Sequence, residues 1–162
     1  MERVIEMMYR NILIPYDGSD SAKHALITAA KIVDGDKNAV LHVFYVVDAP
    51  NFGDPEFADA AREAGVAYPA KIDADMIRRK FLAHKLVETK EEGAAVLGKI
   101  SATVTYALGH GKPSEAIIAF CERNSCDLIC MGCRGIGALR GVLGSVSYAV
   151  LRNSEVPVLV DK

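Results

Sequence analysis

Residues 131–147 read MGCRGIGALRGVLGSVS, with Gly132, Gly135, Gly137, Gly141 and Gly144 ahead of Ser145. Glycine loses more backbone freedom on folding than any other residue, so this density asks for a reason. One reason is chemical. Without side chains in the way, main-chain N–H groups can approach an oxygen atom closely. Ser145 is placed to cap a helix, whose first N–H groups (Ser145, Val146 and Ser147) carry roughly half a positive charge between them. The hydroxyls of Ser145 and Ser147 are further donors. Arg134 and Arg140 add local positive charge to a chain that is slightly acidic overall. Together these groups describe a cradle for phosphate. A second cluster, DGSDS at Asp17–Ser21, supplies a carboxylate. Asp17 suits ribose hydroxyls, a metal such as magnesium, or both, because a carboxylate accepts hydrogen bonds and binds hard cations.

Plainer readings stand beside these. A glycine-rich loop before a helix can serve topology alone, Asp17–Gly18 can be a turn that feeds a helix, and the two arginines can be simply solvated. Known phosphate motifs are missing. A Walker loop needs Gly-x4-Gly-Lys-Ser/Thr, but for Gly111–Lys112 the upstream position is Tyr106 and the next residue is Pro113. A Rossmann fingerprint belongs after the first strand, and DGSDS is not one. His24, His42, His84 and His110 are scattered, with no metal-ligand pairing. Cys121, Cys126, Cys130 and Cys133 crowd one segment, but no CxxC pair faces a second, as a zinc site would need. They read as reduced packing residues, with Cys133, in the loop, the candidate for reactivity.

The chain has 162 residues, of which 51% are apolar and 25% charged, with a net charge of −2. That length favours a single domain, 1–162, able to bury a real core. The charge carries no footprint for nucleic acid, and no apolar run has the length of a membrane span. MERVIEMMYR, at the start, lacks the uninterrupted apolar region of a secretory signal, so the expected location is cytoplasmic.

The elements that must hold these groups follow from periodicity. Arg10–Asp17 reads as a short buried strand. Ser19 or Asp20 can cap a helix with Ala22, Leu26, Ala29 and Ala30 inward and Ile32 and Val33 near its end, stopped by Gly35. Ala39–Asp48 is a second strand. Ala49 to about Ile72, with Pro50, Gly53, Pro55, Gly65 and Pro69, breaks the pattern as a long connection, of a length that inside a compact domain is usually functional or disordered. From Asp73 a long helix is expected, with Ile77, Phe81, Leu82 and Leu86 inward and Gly93 weakening its final turns. Ala102–Leu108 is a third strand, a helix starts near Pro113, Asp127–Met131 is a fourth strand, Ser145 caps a last helix, and Val156–Asp161 is a fifth strand.

Strands alternating with helices predict an α/β fold: one open, five-stranded parallel sheet with helices on both faces. In the order 3-2-1-4-5 the first and fourth strands are neighbours where the winding reverses, and ligands of such sheets bind at the carboxyl ends of strands there. The DGSDS loop and the glycine stretch then share one crevice. Replacing Gly132 by valine is expected to block backbone approach and abolish binding while leaving folding largely intact.

The segments NILIPYDGSDSAKHAL, GKPSEAI and DLICMGCRGIGALRGVLGSVSYAVLRNSEVPVLV together resemble the universal stress protein (UspA-type) family. Its nucleotide-binding branch carries Gly-x2-Gly-x9-Gly-Ser/Thr. Here Gly132-x2-Gly135 and Gly144-Ser145 are present, and the spacer Ile136–Leu143 is eight residues, one short. The resemblance implies the Rossmann-like sheet just described and an adenine nucleotide, ATP or a relative of it. Pro15 and Asp17 would line the adenosine side and Val43 would contact the base. Met131, Gly132, Arg134 and Gly135, with Gly144, Ser145, Val146 and Ser147, would hold ribose and phosphates. It also implies a homodimer. Pro157, which lacks an N–H, belongs on an edge strand, and pairing of the apolar edge 156–161 with a second copy would cover it.

The expected function is therefore an ATP-binding regulatory protein with little or slow hydrolysis. YDGSDS also partly echoes the Ser-Gly-Gly-x-Asp-Ser loop of ATP pyrophosphatases, which keeps an adenylating enzyme open as an alternative. A dimeric scaffold that does not bind nucleotide is the third reading.

Overall fold

The computed structural model describes residues 9–47, 74–134 and 143–162, together with Asp59, Glu63 and Gly65. Most of the 49–72 connection lies outside these residues, as do Gly135, Gly137, Arg140 and Gly141.

In chain order the elements are β1 Asn11–Pro15, α1 Asp20–Ile32, β2 Val40–Val47, α2 Ala74–Leu97, β3 Thr103–His110, α3 Pro113–Arg123, β4 Leu128–Gly132, α4 Ser145–Asn153 and β5 Val158–Asp161. The strands form one five-stranded sheet in the expected order, β3-β2-β1-β4-β5. Every pairing is parallel, with Ile12 opposite Leu128 and Ile14 opposite Val43.

The sheet is buried on both faces because neighbouring residues of each strand point to opposite sides. Ile12 and Ile14 of β1, Leu41 and Val43 of β2, and Leu128 and Cys130 of β4 join one core. Ala22, Ala25, Leu26 and Ala29 of α1 close over it, with Val96 and Leu97 of α2 at its margin. Leu13, Phe44, Ile129 and Met131 point the other way, to Ile117 and Cys121 of α3 and Val150 of α4.

Helix α1 starts where Ser19 caps it. The serine Oγ accepts the Ala22 N–H at 3.2 Å, which satisfies one donor of the open first turn. The helix ends at Ile32, and Gly35 follows with φ +81°.

Helix α2 departs from expectation. Phe81 and Leu86 are 37% and 36% exposed, so they do not form an inward stripe; the Ile77 side chain lies outside the described residues. The face toward the sheet runs through Thr89, Gly93, Val96 and Leu97, spaced as one side of a helix. Two of those four are not apolar side chains, so counting hydrophobic residues misses the face. The helix runs through Gly93 to Leu97. A Cβ on Gly93 would lie 2.7 Å from the Tyr106 ring, so glycine there is what lets α2 settle on β3.

At the amino end of the sheet, the Asp127 carboxylate accepts the Arg10 and Asn11 N–H groups at 2.9 and 3.1 Å. The Asn11 amide donates to the Asn124 and Ser125 carbonyls. Its Oδ1 therefore faces the His42 Nε2 at 2.7 Å as acceptor, and the His42 Nδ1 meets the Thr105 hydroxyl at 2.7 Å. His42 is a satisfied structural histidine tying three strands together.

Candidate functional site

The carboxyl ends of β1, β2 and β4 and the first turns of α3 and α4 enclose a cleft of about 710 Å³, within the range of small-molecule sites. Pro15 and Asp17 form one lip. Met131, Gly132 and Arg134 form the other, leading to Gly144, Ser145, Val146 and Ser147. Phe44, Tyr45, Val46, Pro113 and Ile117 build an apolar wall. The two loops, more than a hundred residues apart in sequence, also touch: the Ser19 Oγ lies 3.5 Å from the Arg134 carbonyl and the Ser21 Oγ 3.8 Å from the Cys133 Sγ.

The start of α4 differs in detail from expectation. Gly144 is the N-cap and has no capping side chain; Ser145 is the first helical residue and is exposed. The first bond of the helix ladder runs from the Tyr148 N–H to the Gly144 carbonyl at 2.9 Å. The Ser145, Val146 and Ser147 N–H groups precede that ladder and so have no acceptor within the helix. Beside them stands Arg134, whose Nε donates to the Cys133 Sγ at 3.4 Å.

Three residues take roles other than those expected. Val43 is 0% exposed, in the core under α1 and α2, and is not among the cleft residues. Strand alternation turns it from the α3 side; Phe44 and Val46, on the opposite face, line the cleft instead, joined at the strand end by Tyr45. Ser147 is 3% exposed, and its hydroxyl donates to the Gly132 carbonyl at 2.9 Å, so its proton is already committed. Gly132 has its missing side chain directed at α1: a Cβ there would lie 2.3 Å from the Ser21 Oγ, 2.7 Å from the Ser21 carbonyl carbon and 2.9 Å from the Ala22 nitrogen. The need for glycine at 132 is close packing of helix on strand.

Sequence reasoning did not single out the apolar wall. One signal was available: the rule that sends ligands to the carboxyl ends of strands applies to the end of β2 and to the turn before Pro113 as much as to DGSDS.

Asp17 Oδ1 accepts the Ser19 N–H at 3.0 Å, closing a turn that shapes the lip. Behind it, the Tyr16 hydroxyl meets the Glu92 Oε2 at 3.4 Å. Burial first, and the Glu92 charge second, push the Tyr16 phenol up to about 12, so it stays protonated and donates. The Arg134 hydrogen bond, aided by Ser21, holds the Cys133 thiol below its ordinary range. Burial pushes Cys126 and Cys130 up to about 12, and all four cysteines are free. Among the described residues, no group of three or more His, Cys, Asp or Glu side chains is placed to hold a metal ion.

The sheet order agrees with what a comparison of whole chains finds. Residues 8–162 match the model of the Universal stress protein family. The chain belongs to the universal stress protein family. Universal stress protein MJ0531 of Methanocaldococcus jannaschii is 34% identical over 97% of this chain and 84% of its own length. The solved structure of MJ0577, from the same organism, superposes with a TM-score of 0.70 at 26% identity over 96% of each chain. A universal stress protein solved in complex with cAMP superposes with a TM-score of 0.58 at 22% identity, over 94% of this chain and 96% of that one. In this universal stress protein the cleft stands at the carboxyl ends of β1, β2 and β4 of a five-stranded sheet.

Proposed function

We propose that this universal stress protein binds an adenine nucleotide in the cleft and uses the bound state to change its shape or its partners, as a regulatory protein of the stress response. The observation that carries this reading is the meeting of Arg134 and the open N–H groups of α4 with Asp17 across one cleft. Helix starts with unpaired donors favour anionic groups. The phosphates would lie against Ser145, Val146, Ser147 and Arg134, with Gly135 supplying a further N–H. Asp17 would take ribose hydroxyls, or a magnesium ion shared with the phosphates. The base would rest on Phe44, Val46, Pro113 and Ile117. The relative solved with cAMP supports an adenine nucleotide as the class, and ATP is the proposed member.

Turnover is proposed to be slow. Among the described cleft residues there is one carboxylate and no histidine to serve as a general base. The chain would act as one domain, in the cytoplasm, and pair with a second copy along β5. That strand is an edge of the sheet, its residues are half-buried, and Pro157 precedes it.

The test is mass spectrometry of ligand released from the heat-denatured purified protein, with calorimetric titration by ATP, ADP and AMP, with and without magnesium. A released adenine nucleotide and saturable heat are expected. No purine released and no heat with any of the three would end the reading.

A further inference from the structure

The hydroxyl of Ser147 is spent inside the protein, and what it holds is the geometry of the cleft. The Ser147 Oγ donates to the Gly132 carbonyl at 2.9 Å, and one residue on, the Gly144 N–H donates to the Cys133 carbonyl at 2.8 Å. Two successive carbonyls at the exit of β4 are thus taken by the first turn of α4. The third, of Arg134, lies 3.5 Å from the Ser19 Oγ at the start of α1. A carbonyl oxygen carries partial negative charge, and one turned into an anion site would repel a phosphate. Gly132 is a fixed reference, because the atoms of Ser21 and Ala22 crowd the place where its Cβ would be.

We propose that Ser147 is a positioning residue: its hydroxyl fastens α4 to the end of β4, and so aims the Ser145, Val146 and Ser147 N–H groups at the phosphate of the bound nucleotide. The proposal rests on the nucleotide reading above. The phosphate end depends on this fastening and the adenosine end does not, since Phe44, Val46, Pro113 and Ile117 stand on other elements.

The experiment uses the full chain and the variants Ser147→Ala and Ser147→Thr, the second keeping a hydroxyl. Affinities for AMP and for adenosine are measured by calorimetry. Hydrogen exchange of the Gly144 and Tyr148 amides is followed in unliganded protein. Alanine is at least as good a helix former as serine, so α4 itself persists in Ser147→Ala. Loss of one hydrogen bond predicts an AMP affinity about five- to tenfold weaker, adenosine affinity changed by less than about twofold, and Gly144 exchange about five- to tenfold faster. Ser147→Thr is expected to restore the AMP-to-adenosine ratio. An unchanged ratio in Ser147→Ala, or equal losses for both ligands, overturns the proposal, as does unchanged Gly144 exchange. Faster Gly144 exchange in a protein whose parent binds neither ligand supports the fastening and refutes the nucleotide reading instead. Should Ser147→Ala fail to fold, Ser147→Thr compared with the parent carries the same decision: a retained ratio supports the role of the hydroxyl and a lost one overturns it.

Discussion

Gly132 stands so close to Ser21 that a Cβ added to it would meet the Ser21 Oγ at 2.3 Å and the Ser21 carbonyl carbon at 2.7 Å. Glycine here lets α1 rest on β4, and that contact sets the distance between the two lips of the cleft. Gly132→Val should therefore unfold more easily than the parent, by about 1–3 kcal/mol or more, the cost typical of overpacking against backbone. Urea denaturation measures it. Parent-like stability in Gly132→Val would show that the helix yields freely. This corrects the expectation that the substitution spares folding.

Asp17 does two jobs that can be separated. Its Oδ1 closes a turn with the Ser19 N–H, and its charge faces the cleft. Asp17→Asn keeps an oxygen for the turn and removes the charge. Its melting temperature should stay near that of the parent, while any magnesium dependence of nucleotide affinity disappears. Asp17→Ala should in addition lose about 0.5–1.5 kcal/mol from the missing turn hydrogen bond. Paired thermal melts and titrations with and without magnesium check both; retained magnesium dependence in Asp17→Asn would remove the metal role.

Cys133 should be the first of the four thiols to react with iodoacetamide near neutral pH. All four thiols are buried, Cys133 the least so at 9% exposure; the Arg134 hydrogen bond favours its thiolate, whereas burial holds Cys121, Cys126 and Cys130 protonated, and the thiolate is the nucleophile. Arg134→Ala should shift the Cys133 alkylation profile to higher pH. Peptide mass spectrometry across a pH series reads both, and earlier labelling of Cys121 would contradict the ordering.

His42 makes stability depend on pH. Burial lowers its pKa below the ordinary value of 6.5, so the folded state prefers the neutral ring and the unfolded chain binds the extra proton first. Its contribution is then complete above about pH 6.5 and is lost as pH falls through the lower, folded-state value. Unfolding free energy measured from pH 8 to pH 5 should decline through that window, and His42→Gln should flatten this part of the decline. An unchanged slope in His42→Gln would assign the decline to other groups.

The apolar runs and their punctuation made the fold legible. Short runs such as NILIP and LICMG alternate with capped helical stretches, and in a parallel sheet that alternation leaves few topologies. Asp17 and the Gly144–Ser147 segment were legible as cleft residues because they stand at strand-to-helix turns at the carboxyl end of the sheet, where the winding reverses. The inward face of α2 was not legible, because it runs through Thr89 and Gly93 before it reaches Val96 and Leu97, which leaves too few apolar residues to mark a stripe. Phe44 was missed in favour of Val43, because a one-residue change of parity moves a side chain to the opposite face of the sheet.

Residue order by itself determined which segments are strands, which are helices, and which loops hold polar chemistry, since those depend on local periodicity and backbone preference. Only the folded chain decided what each loop residue faces. The register of Ile12 against Leu128 and the seating of α1 on Gly132 bring atoms far apart along the backbone within contact distance. Through those contacts Gly132 became a packing point and Ser147 a fastening, because a side chain's role depends on its neighbours in space, and spacing along the chain encodes only its neighbours in sequence.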